Sequence, residues 1–178
     1  TAGTLTLGIS STGAITNGPV GTGTLALNGG TLDSNGTYTV NNVITVGGTA
    51  AIGGTNSLAL GGTIALGANI LNATNTSGIV TLGGIISGSG GSITENGAGG
   101  TLILSAANTY TGATNINAGT LKLGVSSTLS TAGPLGTTAA GTTVASGAAL
   151  DLNGFSLTSA ATEALSITGT GPVGLGAL

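Results

Sequence analysis

Residues 100–124 read GTLILSAANTYTGATNINAGTLKLG. Two short stretches in it alternate strictly, Leu102-Ile103-Leu104 and Leu121-Lys122-Leu123. Alternation with a period of two puts the flanking residues on one face of a strand and the middle residue on the other. Between the two stretches lie an Asn108-Thr109-Tyr110-Thr111-Gly112 corner and an Asn-rich turn around Asn115 and Asn117. Two strands and two corners within 25 residues make one compact β unit.

The same apolar-x-apolar signature recurs as Leu5/Leu7, Leu25/Leu27, Ile44/Val46, Leu58/Leu60, Ile64/Leu66, Val80/Leu82, Leu150/Leu152, Phe155/Leu157 and Leu165/Ile167. The middle residues are mostly small or polar, among them Thr6, Ala26, Thr45, Ala59, Ala65, Thr81, Asp151, Ser156 and Ser166. The flanking residues are therefore expected inside, and the middle ones outside. Gly or Asn follows nearly every triplet, often as Asn-Gly (Asn17-Gly18, Asn28-Gly29, Asn35-Gly36, Asn96-Gly97, Asn153-Gly154), a pair suited to tight corners. No stretch repeats its apolar residues at helical spacing, and only Ala160 to Ala164 offers room for a short helical turn.

Short strands with glycine corners fit either an antiparallel sandwich or a solenoid. Spacing favours the solenoid. Strong triplets begin at 5, 25 and 44 and again at 80, 102 and 121, steps near twenty residues apart from one gap of 36, which equals two coils of 18. That recurrence marks the coil of a parallel β-helix. The expected architecture is all-β, about nine coils of roughly 20 residues, forming a rod on the order of 40 Å long. Thr and Asn at matching corners are expected to form hydrogen-bonded ladders. A longer repeat overlies the coil: residues 2–12 match residues 118–128 at an offset of 116, and Gly18-Pro19-Val20-Gly21 matches Gly133-Pro134-Leu135-Gly136 at an offset of 115. Residues 1–178 thus read as a single β-solenoid segment with about one and a half copies of a ~116-residue unit and, having no Met, as cut from a longer chain.

The stretch from Gly100 to Gly124 resembles the autotransporter-associated β-strand repeat of secreted bacterial β-helical passengers. In that family the unit reads Gly-Thr-Leu-x-Leu-Ser, then Asn-x-Tyr-x-Gly, then a Thr/Asn-rich strand, then Ala-Gly-Thr-Leu-x-Leu-Gly. Ala113 departs from the pattern, which usually has a second Gly there. The resemblance implies a right-handed β-helix, export from a bacterial cell, and an architecture without catalytic residues.

Composition narrows the function. The chain has one Lys or Arg, four Asp or Glu, no His and no Cys, for a formal net charge of −3. Charged residues make up 3% of the chain against roughly 25% in an ordinary domain. There is no basic footprint for nucleic acid or for anionic lipid, and no disulfide can staple the fold. Leu, Ile, Val and Phe form about a quarter of the residues, above the ~20% below which chains tend to stay disordered. No apolar run reaches the ~18 residues of a membrane span, and three aromatic residues cannot supply the girdles of an outer-membrane barrel. This segment is therefore not expected to insert into a membrane.

Catalytic chemistry finds no support in the residues. With no His and a single Lys, the hydroxyls have almost no candidate base. Glycoside chemistry needs two carboxyls some 5 to 10 Å apart. Asp33, Glu95, Asp151 and Glu163 are well separated, with only Asp151 and Glu163 within one coil of each other. A metal lacks ligands, so no catalytic, cofactor-binding or metal-binding residue is assigned. Tyr38 and Tyr110 are candidates for stacking on sugar, although packing against the rod with a satisfied hydroxyl is the expectation for both. Lys122 reads as an outward solvated residue rather than an isopeptide donor. Asn35, Asn72 and Asn75 meet the N-glycosylation pattern, which a bacterial source would leave silent.

The reading is a non-enzymatic structural rod, stalk or fibre segment of a large exported protein, outside the cell or on its surface. Its expected partner is itself, through head-to-tail stacking of coils within one chain or in a filament. An adhesin that meets cell-surface glycans through a side face is the alternative. Ice binding by an outward Thr face is a further rival, weakened by Ala26, Ala59 and Lys122 at outward positions.

Overall fold

Leu102 and Leu104 are fully buried while Ile103 between them is half-buried, and the strand that carries them pairs in parallel with one neighbour on each side. The computed structural model describes residues 3–11, 18–127, 132–157, 164–172 and 177. Its strands, in chain order, are β1 (Thr4–Leu7), β2 (Leu25–Ser34), β3 (Tyr38–Val40), β4 (Ile44–Ile52), β5 (Leu58–Leu60), β6 (Ile64–Ala65), β7 (Ile70–Ala73) and β8 (Ile79–Leu82). They continue as β9 (Ile86–Ser87), β10 (Ser92–Glu95), β11 (Thr101–Leu104), β12 (Thr114–Ile116), β13 (Thr120–Leu123), β14 (Thr142–Val144), β15 (Ala149–Asp151) and β16 (Leu165–Ile167). No helix occurs among the described residues.

The strands stack as a parallel β-solenoid. One sheet runs β15-β13-β11-β8-β5-β3 and fixes about six turns. The other runs β1-β2-β4-β7-β10-β12-β14-β16 and carries a side arm of β6 and β9. The long strands β2 and β4 belong to both arms, because a register shift after Leu27 bends them at Asn28 to Gly30. Gly29 and Gly30 take positive φ there, a conformation residues with a side chain rarely adopt. Each turn thus has three short faces around an apolar interior.

The interior consists of aliphatic columns. Leu58, Val80, Leu102, Leu121 and Leu150 align across one sheet, beside Val40, Leu60, Leu82, Leu104 and Leu123. All are buried. Each such side chain contributes on the order of 1.5 to 3 kcal/mol through removal from water. The middle residues Ala26, Thr45 and Ala65 are exposed and Ala59, Thr81, Lys122 and Asp151 half-buried, as the alternation predicts. Departures fall in the end coils: Leu5 is 46% exposed and Ile167 40%, because each lies on a terminal strand with a neighbour on one side only. The proposed helical turn at residues 160–164 lies almost wholly outside the described residues.

About six turns replace the nine expected from spacing, for two reasons. The triplets at 25 and 44 lie in the arm of β6 and β9, whereas those at 80, 102 and 121 lie in the six-stranded sheet. The gap of 36 therefore compares different faces of the coil. The coils are also unequal in length. Hydrogen bonds between neighbouring turns join residues 22 apart in the middle of the chain but 28 to 30 apart towards both ends. Each long coil contains a Gly-Pro-x-Gly turn, Gly18 to Gly21 and Gly133 to Gly136, closed by backbone bonds of 3.1 Å. Six turns at ~4.8 Å each make a rod on the order of 30 Å.

Candidate functional site

The Asn108 to Thr114 corner joins three consecutive turns. Asn108 is fully buried; its Oδ1 accepts the Ile86 N–H at 2.8 Å from the turn before, and its Nδ2 donates to the Pro134 carbonyl at 2.7 Å from the turn after. Thr114, also buried, donates its hydroxyl to the Leu135 carbonyl at 2.9 Å, and the Tyr110 hydroxyl lies 2.6 Å from the same Thr114 oxygen. The backbone adds Asn108 N–H to Gly133 O and Thr137 N–H to Tyr110 O, both at 2.9 Å. Gly136 has φ +91°, and a Cβ there would meet the Tyr110 ring at 2.7 Å. The Gly133 to Gly136 turn is thereby seated on the corner, with Leu135 buried beneath it.

A second corner holds Glu95. Along its column the inward positions are Ile52, Ala73, Glu95, Ile116 and Val144 in register. One carboxyl thus interrupts an aliphatic stack, and it is fully buried. Its Oε1 accepts the Gly97 N–H at 2.6 Å, while Oε2 has no hydrogen-bond partner. Burial away from water raises the carboxyl to about 8, and the Gly97 bond offsets only part of that. Asn75 is buried one turn away, with its Nδ2 on the Gly78 carbonyl at 3.2 Å and its Oδ1 unpaired.

The outer surface carries the remaining polar groups. Asn117 donates to Asn96 at 2.9 Å and Asn96 to Asn72 at 3.3 Å, a ladder climbing three turns, and Thr143 donates to Asn115 at 2.9 Å beside it. Lys122 points outward and pairs with Asp151 of the next turn, Nζ to Oδ2 3.1 Å. The Lys122 hydrogen bond, supported by the Asn153 N–H, holds the Asp151 carboxyl below its ordinary value. Tyr38 is half-buried and borders a shallow groove of about 270 Å³ with Thr37, Ser57, Ile79, Thr81 and Ile103.

The acids do not converge. Asp33 lies on β2, where it accepts the Ser34 N–H at 2.6 Å, Glu95 on β10 and Asp151 on β15; Glu163 lies outside the described residues. Tyr110 is buried, so sugar stacking at that position is ruled out in favour of the packing reading. Asn75 is equally inaccessible to glycosylation. The inward place of Glu95 escaped the sequence reading. Its signal was the spacing Ile93-x-Glu95, parallel to Leu71-x-Ala73, Thr114-x-Ile116 and Thr142-x-Val144.

Residues 93–123 match the family described as the passenger-associated-transport-repeat. That stretch of the chain is similar to one repeat of the family. The repeat begins in β10 and ends with the last residue of β13, so it encloses Glu95, the Asn108 to Thr114 corner and two strands of each sheet. Outside it the solenoid continues in both directions with weaker echoes of the motif. Comparison with curated proteins and with solved structures returned no match.

Proposed function

We propose that this segment is a structural rod of an exported passenger, held outside the cell or on its surface, whose work is to set distance rather than to catalyse. The observation that carries the reading is the transport-associated repeat built into a stack whose six-stranded sheet carries continuous aliphatic columns. The side chains that most resemble functional groups support it. Asn108, Tyr110 and Thr114 are spent on joining turns, and the Asn ladder ties the outer face from coil to coil. Neighbouring coils are its natural partners, within one chain or between chains in a filament.

The experiment is proteolysis of intact cells of the native host, with antibody detection of the segment. Digestion without lysis supports export; protection until lysis defeats it. A second reading, a glycan-binding side face, draws on the Tyr38 groove. Glycan-array binding that is lost with Tyr38→Ala supports it, and an array without signal removes it.

A further inference from the structure

Glu95 sits where an acid in its charged form has no favourable surroundings. The strands flanking β10 are β7 and β12, and neither they nor the turns at residues 96–100 and 117–119 carry another titratable side chain. Lys122 and Asp151 are paired on the outer face of the other sheet. The glycine turns beside the carboxyl are packed against backbone oxygens and the buried Asn75 amide. A Cβ placed on Gly97 would meet Asn75 O and lie 2.8 Å from Glu95 Oε1. A Cβ on Gly119 would press on Gly97 O, lie 2.8 Å from Gly100 O and 3.2 Å from Glu95 Oε1. The turns close tightly around the carboxyl, a single N–H, that of Gly97, bonds it, and Oε2 has no hydrogen-bond partner. A carboxylate there would hold its charge on one hydrogen bond inside an aliphatic column, whereas a neutral acid buries no charge.

We propose that Glu95 is a proton-operated latch of the repeat: its carboxyl fits between the turns in the neutral form, so the coil closes firmly in acid and loosens as protons are withdrawn. The corner it latches is the passage from β10 to β11, stacked on the Asn117 to Gly119 turn, where Asn117 and Ala118 N–H both bond to the Glu95 carbonyl. Loosening there would part the two sheets within the family repeat while distant columns stay closed. The raised carboxyl, about 8 against 4.5, agrees with this geometry.

The consequence for stability has a definite sign. Below about pH 4.5 the folded and unfolded chains both hold the proton, and stability is at its plateau. Between about 4.5 and about 8 unfolding releases the proton, and the folding constant falls about tenfold per pH unit. Above about 8 the folded chain has itself lost the proton, and the fall levels off. Asp151, held below its ordinary value by its hydrogen bond with Lys122, titrates below this window.

Denaturant unfolding of the full chain from pH 5 to 9, with Glu95→Gln in parallel, tests the latch. Wild type should lose stability across the window, and the glutamine variant, isosteric and unable to ionise, should be flat. A flat wild type, or a variant with the wild-type slope, overturns the proposal. Should Glu95→Gln fail to fold, the carboxyl carbon resonance of Glu95 in the wild type decides. A midpoint more than one unit above the ordinary carboxylate range supports the latch, and anything lower overturns it.

Discussion

The hydroxyls of Tyr110 and Thr114 lie 2.6 Å apart in a corner that solvent does not reach. Because Thr114 gives its own proton to the Leu135 carbonyl, the Tyr110 hydroxyl is the donor between them. The motif's aromatic residue is therefore the first link of a chain that runs from one turn to the carbonyl of the next.

Tyr110→Phe should keep the packed ring and lose that one donor, at about 1 kcal/mol. Tyr110→Ala also empties the ring's space under Gly136 and should cost about 3 to 5 kcal/mol. Urea unfolding of both variants measures the difference. Equal costs would show that the ring's packing contributes nothing.

Asn108→Ala removes an acceptor from Ile86 N–H and a donor from Pro134 O together. Both partners are left in a buried corner, so the expected loss is about 2 to 4 kcal/mol. Asn108→Asp should be no better at neutral pH, since a carboxylate accepts from Ile86 but faces the Pro134 carbonyl and carries its charge into a buried corner. A neutral-pH thermal melt in which aspartate is as stable as asparagine contradicts this assignment.

Leu104→Ala should cost roughly 2 to 5 kcal/mol through lost burial and a cavity in its column. Thr81→Ala, on the outward side of the same sheet, should stay within about 0.5 kcal/mol. Chemical denaturation of the pair checks the division between inside and outside. Similar losses for the two would refute it.

Deleting residues 80–101 should remove one whole turn, because Ile79 and Thr101 are register partners and Ile79 can take the place of Thr101 before Leu102. The shortened chain should keep its β circular dichroism and lose about 4.8 Å of length in solution scattering. An unfolded or aggregated product would mean that the turns are not interchangeable units.

Lys122→Met should lower stability by under about 1 kcal/mol, since the pair with Asp151 is half in solvent. Asp151 should then titrate higher, as its main stabilising bond is gone. The contribution of the pair is present above the ordinary carboxylate value and is lost as pH falls through the depressed one. A carboxyl resonance of Asp151 that titrates at the same pH in both proteins would dismiss the pair as a solution interaction.

The all-β class, the parallel stacking and the division between inside and outside were legible from residues such as Leu102, Ile103 and Leu104, because alternation along a strand is a local property of the backbone. The transport-associated repeat was legible for the same reason, since its corner residues are contiguous from Asn108 to Gly112. The number of turns was not. It depends on which strands lie side by side, and a chain with turns of 22 and of 30 residues gives no single period to read. Nor could alternation alone show that Glu95 falls in line with Ile52, Ala73, Ile116 and Val144 from other turns, or that Asn108 reaches Pro134 across the next one. Local pattern determines which way a side chain faces along its own strand. Only the closed stack decides what it faces, because burial and hydrogen-bond partners are set by turns that lie some twenty to thirty residues away in the chain.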